Sequence, residues 1–348
     1  MFSQSTVVKI ALMIGLVLTA SIFSNKFKLG DKTDEEYDLI RKYLLNDNPL
    51  YGFNKPKLWI HTKYEYNARV WKSFGSRSSQ DLNQPYIHLT VKTIIQHCGK
   101  DFNICLIDDD SFQQLIPQWT TKLAEIPEPQ RQFHRQLALL ELLHMYGGFL
   151  VPNSFVCVKN LYPMYKETLE AKRPFILEQY GSKKFVQNGR IAAPCGRPSN
   201  FMPNTAFLGA IKRDPVIREM CEMLKKICNY NMIDLTFKDT ISTWCVDKMT
   251  VLDGIYVGAK TSRGKPIVLE DLMQEKNLDV PDDLLYGVVV PADAILTRPK
   301  YQWFASLSEE KVLSNNCVVC RLMLRGILDD TRAPLEWGEP TTETVISI

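Results

Sequence analysis

The chain reads as an α/β protein: a mostly parallel sheet flanked by helices, preceded by one N-terminal transmembrane helix. Two observations predict the sheet. Short apolar runs of strand length alternate with stretches whose apolar residues recur at helical spacing, and strand–helix–strand order favours parallel strands with helices on the sheet faces. A third predicts the anchor. Residues 10–23 are fourteen consecutive uncharged residues, and 6–24 are interrupted only by Lys9.

The N-terminal run has no polar face, unlike a helix buried in a soluble core. As a signal peptide it is poor. Cleavage after Ala20 would place Leu18 at −3 and cleavage after Ser24 would place Ile22 there, where small residues are needed. An uncleaved anchor over residues 1–25 is the expectation, a single-pass membrane localisation. Lys26, Lys28 and Lys32 follow the run against Lys9 before it, which by the positive-inside rule puts the globular part in the cytoplasm. The absence of any Asn-x-Ser/Thr sequon agrees. Residues 26–55 form a polar stem, 56–335 one globular domain and 336–348 a tail.

Within the body, residues 56–61 suit a buried first strand. Residues 87–97 carry apolar side chains at 87, 91, 94 and 95, an amphipathic helix with Gly99 as its C-cap. Residues 102–107 form the second strand, ending in Asp108-Asp109-Asp110, and 111–119 a short helix. Residues 133–146 are apolar on most sides, a buried helix stopped by Gly147-Gly148. Residues 149–158 resume as strand. Further strands are expected at 175–178, 206–209 and 285–290, and an amphipathic helix at 214–228.

Composition narrows the function classes. The 45% hydrophobic and 23% charged content belongs to a folded protein. Net charge is +3, and Lys and Arg are scattered along the chain rather than clustered, which argues against a nucleic-acid partner. Nine cysteines include one C-x-x-C, Cys317-Val318-Val319-Cys320, with no second pair to complete a zinc site. Its apolar context predicts two buried thiols and hints at a reducing compartment. Glu141-x-x-His144 has no second copy to make a carboxylate-bridged metal centre. No nucleophile elbow accompanies His61, His88 or His97, so hydrolase chemistry has no support.

The run from Leu139 to Leu150, Leu-Leu-Glu-Leu-Leu-His-Met-Tyr-Gly-Gly-Phe-Leu, resembles a segment of the DXD-motif mannosyltransferase-like glycosyltransferases and the capsular polysaccharide synthesis proteins. In those families a helix ending in Tyr-Gly-Gly enters a strand that delivers an acidic metal-binding motif. The first strand, the acidic end of the second, and Asn204-Thr205-Ala206-Phe207-Leu208-Gly209-Ala210 followed by Asp214-Pro215-Val216-Ile217 are similar to further parts of the same pattern. The resemblance covers roughly residues 56–220. It implies a GT-A-like (nucleotide-diphospho-sugar transferase) fold, a nucleotide-sugar donor and a glycan or other acceptor. Family members of the Golgi type face the lumen, which leaves the membrane orientation open.

The chain departs from that pattern where the metal would sit. The acidic positions fall on Pro152 and Ser154, flanking Asn153. Arg135-Gln136 replace the usual Ser-Asp pair, Leu139 stands where an Arg is typical, and no histidine follows His144. Neutral oxygens hold a hard cation far less well than carboxylates. The resemblance thus implies transfer with an unconventional acidic site at Asp108 and Asp109, or with no metal at all.

In the catalytic reading Asp108 and Asp109 contact ribose or replace the missing ligands. In the structural one Asp110 or Ser111 caps the next helix and the other acids are solvated. Arg135 supplies the missing positive charge in the first reading and sits on an exposed helix end in the second. His61, Asn153, Ser154 and Asn204 complete the substrate-binding set, while Arg77, Lys183, Lys184, Arg190 and Arg197 are weaker versions of Arg135. Asn153 and Ser154 could hydrogen-bond a sugar or phosphate without a metal, or mark a pocket that no longer works. Two other classes stand beside the transferase: a membrane-tethered binding or scaffold module that keeps the fold without the chemistry, and an unrelated structural membrane protein. The last is favoured if residues 149–155 do not lie beside residues 102–107.

Overall fold

The computed structural model describes residues 55–62, 84–128, 130–180, 201–230 and 244–328. All belong to the unit running from Leu50 to Ile348. The expected anchor, the stem up to residue 54 and the tail lie outside the described residues, as do Arg77, Lys183, Lys184, Arg190 and Arg197. No described helix is long and apolar enough to cross a membrane.

The first half of the described chain runs β1 (Lys57–His61), α1 (Tyr86–Cys98), β2 (Asn103–Ile107), α2 (Ser111–Leu115), α3 (Gln130–Tyr146), β3 (Gly148–Pro152), β4 (Phe155–Cys157) and α4 (Tyr162–Glu170). It continues with β5 (Phe175–Tyr180), β6 (Phe201–Ala210), α5 (Pro215–Tyr230), β7 (Thr250–Leu252), α6 (Leu269–Leu272) and β8 (Gly287–Val289). Four helices close it: α7 (Ala292–Thr297), α8 (Gln302–Ala305), α9 (Glu309–Leu313) and α10 (Val318–Leu328). Six strands form one sheet in the order β2-β1-β3-β6-β5-β7, and β4 pairs with β8 in a second. In the large sheet β6 alone runs against the others. The fold is α/β with a mostly parallel six-stranded sheet flanked by helices.

Alternation along β1 shows how the sheet is covered. Trp59 faces one cluster of buried side chains with Leu150 of β3, Cys105 and Ile107 of β2, and the inner faces of α3 and α5. On the other face Phe149 packs on Phe175 and on Tyr165 of α4. A second cluster joins α1, β4, β8 and the last four helices through Leu89, Val156, Val288 and Val319. Near-continuous apolar strands are what burial of both sheet faces requires.

The two glycines after α3 are demanded by geometry. Gly147 has φ +69° and Gly148 φ +113°. A Cβ on Gly148 would sit 2.2 Å from the Lys57 carbonyl oxygen. The Gly147 N–H closes α3 on the Leu143 carbonyl at 2.8 Å, and the Trp59 indole N–H donates to the Gly147 carbonyl at 2.9 Å. Gly99, by contrast, caps α1 in the right-handed region at φ −64°.

Several expectations need correction. Residues 149–158 are not one strand. Pro152 lacks the N–H to continue a ladder, the chain turns at Asn153-Ser154, and Phe155–Cys157 joins the second sheet. The helix expected over 111–119 stops at Leu115, because Pro117 pushes Ile116 out to φ −106°, ψ 112°. The buried helix starts at Gln130 rather than 133. Cys317 and Cys320 are not thiols but a disulfide, with Cα atoms 5.2 Å apart. The strands expected at 175–178 and 206–209 extend to Tyr180 and back to Phe201, and 285–290 shortens to Gly287–Val289. Finally, β1 lies between β2 and β3, so residues 149–152 and 102–107 are second neighbours in one sheet, and Phe155 is outside it.

Candidate active site at the carboxyl edge

Parallel strands end together, and open α/β sheets bind ligands outside those carboxyl ends. Here the register aligns His61 with Ile107 on one side and with Pro152 on the other. Residues paired in register on parallel strands face the same way. His61 and Pro152 therefore point towards the α3 side, and Asp108-Asp109 follow directly from β2.

Asp109 is the hub. Its Oδ1 is 2.9 Å from His61 Nε2 and accepts from Arg135 Nε at 2.7 Å, while Oδ2 accepts from Arg135 Nη2 at 2.6 Å. Glu128 lies 3.9 Å from Arg135 Nη1. Side-chain exposures of 10% for His61, 28% for Asp109 and 9% for Arg135 make this a largely buried triad, in which Asp109 is ion-paired with Arg135 and within hydrogen-bonding distance of His61. Burial by itself would raise the Asp109 carboxyl, but the bonds from Arg135 and His61 outweigh it and hold the group well below the usual carboxylate range. The His61 ring stacks on Phe112 with centroids 5.5 Å apart, which fixes its plane.

Asp108 does something different. Its Oδ1 accepts from the Ser111 backbone N–H at 2.8 Å and from its hydroxyl at 2.6 Å, closing the turn into α2. The capping role expected of Asp110 or Ser111 is thus carried by Asp108. Arg135 is likewise not on an exposed helix end: it is buried in α3, about one and a half turns beyond the start at Gln130, and held by Asp109.

Asn153 and Ser154 are held by their backbones. The Thr90 hydroxyl donates to the Asn153 carbonyl at 2.5 Å, and the Val290 N–H to the Ser154 carbonyl at 2.9 Å. Ser154 is 7% exposed, whereas Pro152 and Asn153 are half-buried. On β6, Asn204 Nδ2 donates to Gln179 Oε1 at 2.5 Å, and its Oδ1 accepts from the Ala206 N–H at 2.9 Å. That second bond braces an irregularity. Pairing to β5 jumps from Leu208 to Asn204 between Ile176 and Leu177. Thr205, inside the bulge, accepts from Gln136 of α3.

So the structure gathers His61, Asp109 and Arg135 into one cluster beside Pro152, and sets Asn204 two strands beyond β1. Sequence reasoning missed Glu128, Phe112, Gln136, Thr205 and Gln179. It also missed Lys260, which reaches the same edge from a later loop and pairs with Glu178 at 2.9 Å and Asp253 at 3.0 Å. Gln136 adjoins Arg135 and was within reach of the sequence. Lys260, which follows β7 in a polar loop, carried no signal.

A divalent metal does not fit these residues. Both Asp109 oxygens are engaged, Asp108 is turned to Ser111, positions 152 and 154 bear no carboxylate, and among the described residues no three His, Cys, Asp or Glu side chains come together as ligands. Cysteine nucleophiles are equally disfavoured. Burial pushes the thiols of Cys105, Cys221 and Cys245 up to about 12. No protein-family model matches the chain, and no curated protein matches it.

Proposed function

We propose that the chain is a GT-A-like glycosyltransferase that takes a nucleotide-sugar donor and works without a divalent metal. One observation carries the reading. The helix that ends in Tyr146-Gly147-Gly148 feeds a strand whose last residue, Pro152, stands in register beside His61 at the carboxyl edge, with Asp109 and Arg135 alongside. That is where the family resemblance calls for a donor pocket. β2 and β3 are not paired directly, but β1 between them brings all three strand ends to one edge.

Transfer breaks the bond between the sugar and the diphosphate, whose oxygen keeps the electron pair. The acceptor hydroxyl bonds the sugar carbon, and its proton passes to the released diphosphate oxygen. The leaving charge needs a cation. Arg135, held by Asp109, is a cation at this edge, and a planar guanidinium has the geometry that suits phosphate. Asn153, Asn204 and Gln179 are neutral groups at the same edge suited to sugar hydroxyls, and Ser154 supports the turn beneath them.

The test is thermal. UDP- and GDP-sugars at millimolar concentration should raise the melting temperature; a ligand at 100 times its Kd stabilises by about 2.7 kcal/mol. Arg135→Ala should weaken the ligand-induced shift, measured from that variant's own ligand-free baseline because it also unpairs Asp109. No shift with either nucleotide class would end the proposal.

Pro152 supports a second reading, a tethered binding module that keeps the fold without the chemistry. On that reading Pro152→Asp with Ser154→Asp creates metal binding without turnover. Sugar transfer by the unmodified protein would exclude it.

A further inference from the structure

The opposite edge of the sheet is basic, although nothing in the order of residues along the chain shows it. Asn103 pairs with Lys57, Gly148 with Ala210, and Phe175 with both Gly209 and Thr250. The residues just before β2, β1, β5 and β7 and just after β6 therefore share one edge. Lys100 and Lys55 lie there, then Lys212-Arg213, then Lys172-Arg173, all exposed. Among the described residues none of the six is ion-paired; Lys55 donates to the Lys100 carbonyl at 2.5 Å and Arg173 to the Asp247 carbonyl at 3.1 Å. Lys248 at the same edge is offset by Glu219 at 3.6 Å.

The acids nearby offset only part of this charge. Asp101 is turned to Asn160 Nδ2 at 2.5 Å, and Asp214, 2% exposed, accepts the Val216 N–H at 2.8 Å as the cap of α5. Glu170 and Asp247 are exposed, so four carboxylates stand against six cations, and all six cations are at the surface. With strands about 4.8 Å apart, six strands spread the strip over roughly 24 Å. In its middle stands Ile211, 44% exposed, beside Lys212. Gly147 makes that close packing possible: a Cβ there would come within 2.7 Å of the Lys212 nitrogen.

We propose that this amino edge docks on an anionic lipid surface. Fixed positive charge around an exposed aliphatic side chain suits headgroups over a shallow apolar layer. Among the described residues the strip carries no aromatic side chain on which a base could stack, which disfavours single-stranded nucleic acid. The covalent path agrees. The described chain enters β1 at this edge through Lys55, and the uncharged run 10–23 precedes it in the sequence. Docking this way turns the carboxyl edge, with His61, Asp109 and Arg135, away from the lipid by the length of a strand, about 17 Å for five residues.

The experiment uses the full chain and sedimentation with two vesicle types, pure phosphatidylcholine and a phosphatidylcholine–phosphatidylserine mixture. The ratio of the two partition coefficients removes any contribution of the apolar N-terminal segment. Each basic residue near an anionic surface contributes roughly fivefold, about 1 kcal/mol. The variant K172N/R173Q/K212Q/R213N should lower the ratio at least tenfold. Asn is chosen at 172 and 213 because those residues have φ 51° and 61°, where Asn is tolerated. A control that removes equal charge from exposed positions elsewhere, K265Q/K276Q/K300Q/K311Q, should leave the ratio within twofold, and molar salt should abolish the wild-type preference. Melting temperatures of both variants establish that they fold. An unchanged ratio in the first variant, an equal fall in the control, or binding to a nucleic-acid duplex with no preference for phosphatidylserine would each overturn the proposal.

Discussion

At the scale of single residues, the site turns on whether a buried charge has its partner. Removing one member of a buried ion pair costs about 3–5 kcal/mol, because the other is left desolvated and unpaired. Asp109→Ala removes the bidentate partner of the Arg135 guanidinium, whose next carboxylate, Glu128, is 3.9 Å away. Chemical denaturation should show a loss towards that range, and Asp109→Ala with Arg135→Met should recover most of it. If the double variant is as unstable as the single one, the pair is not what holds these elements. The same carboxylate sets a pH dependence. Its native pKa is depressed, so its contribution is fully present above the ordinary Asp value of about 3.9 and is lost as pH falls below it. The difference in stability between wild type and Asp109→Asn should accordingly shrink on acidification below pH 4. A difference that stays constant to pH 2 would contradict the assignment.

Elements are positioned here by a few obligatory contacts. Gly148 brings β3 against β1 so closely that no side chain fits, and its φ of +113° excludes other residues on conformational grounds as well. Gly148→Ala should destabilise by at least about 2 kcal/mol and displace Pro152 from His61. A melting temperature within two degrees of wild type would show that the strand end can relax. On the far side of that strand, Thr90 and Thr93 of α1 hold the turn and β4: one donates to the Asn153 carbonyl, the other accepts from the Cys157 N–H at 2.9 Å. Thr90→Val keeps the shape and removes the donor. It should cost about 1–3 kcal/mol for the unsatisfied carbonyl, and it should weaken any nucleotide-induced shift if the turn lines the donor site. These contacts also show why residues 149–158 misled as one apolar run. The break comes from a proline with no donor and from hydroxyls on a helix far away in sequence, neither of which alters hydropathy.

For the whole molecule, the two edges of the sheet carry different chemistry: at the carboxyl edge a buried His61–Asp109–Arg135 cluster with further carboxylates around it, and at the amino edge six exposed cations with no ion pair among the described residues. The expected anchor supplies a prediction that does not depend on either. A chain held by a spanning segment stays with membranes after alkaline carbonate extraction, whereas one held only by charge is released by salt. Release by carbonate would refute the spanning reading of residues 10–23 while leaving the docking of the amino edge open to its own assay.

What the amino-acid sequence determined by itself is local. Apolar periodicity located β1, β2, α1, α3 and α5 to within a few residues, and the paired glycines marked the entry to β3, because burial and backbone freedom are written in neighbouring residues. Asp109 and Arg135 could be singled out as charges needing partners, yet not as partners of each other. Tertiary structure alone decided that they pair, that Asp108 turns away to Ser111, and that Lys260 arrives at the same edge. It also collected scattered lysines and arginines into one strip. Each of these depends on strand order and register, which bring together side chains tens to hundreds of residues apart, and charge has no periodicity by which such meetings could be read along the chain.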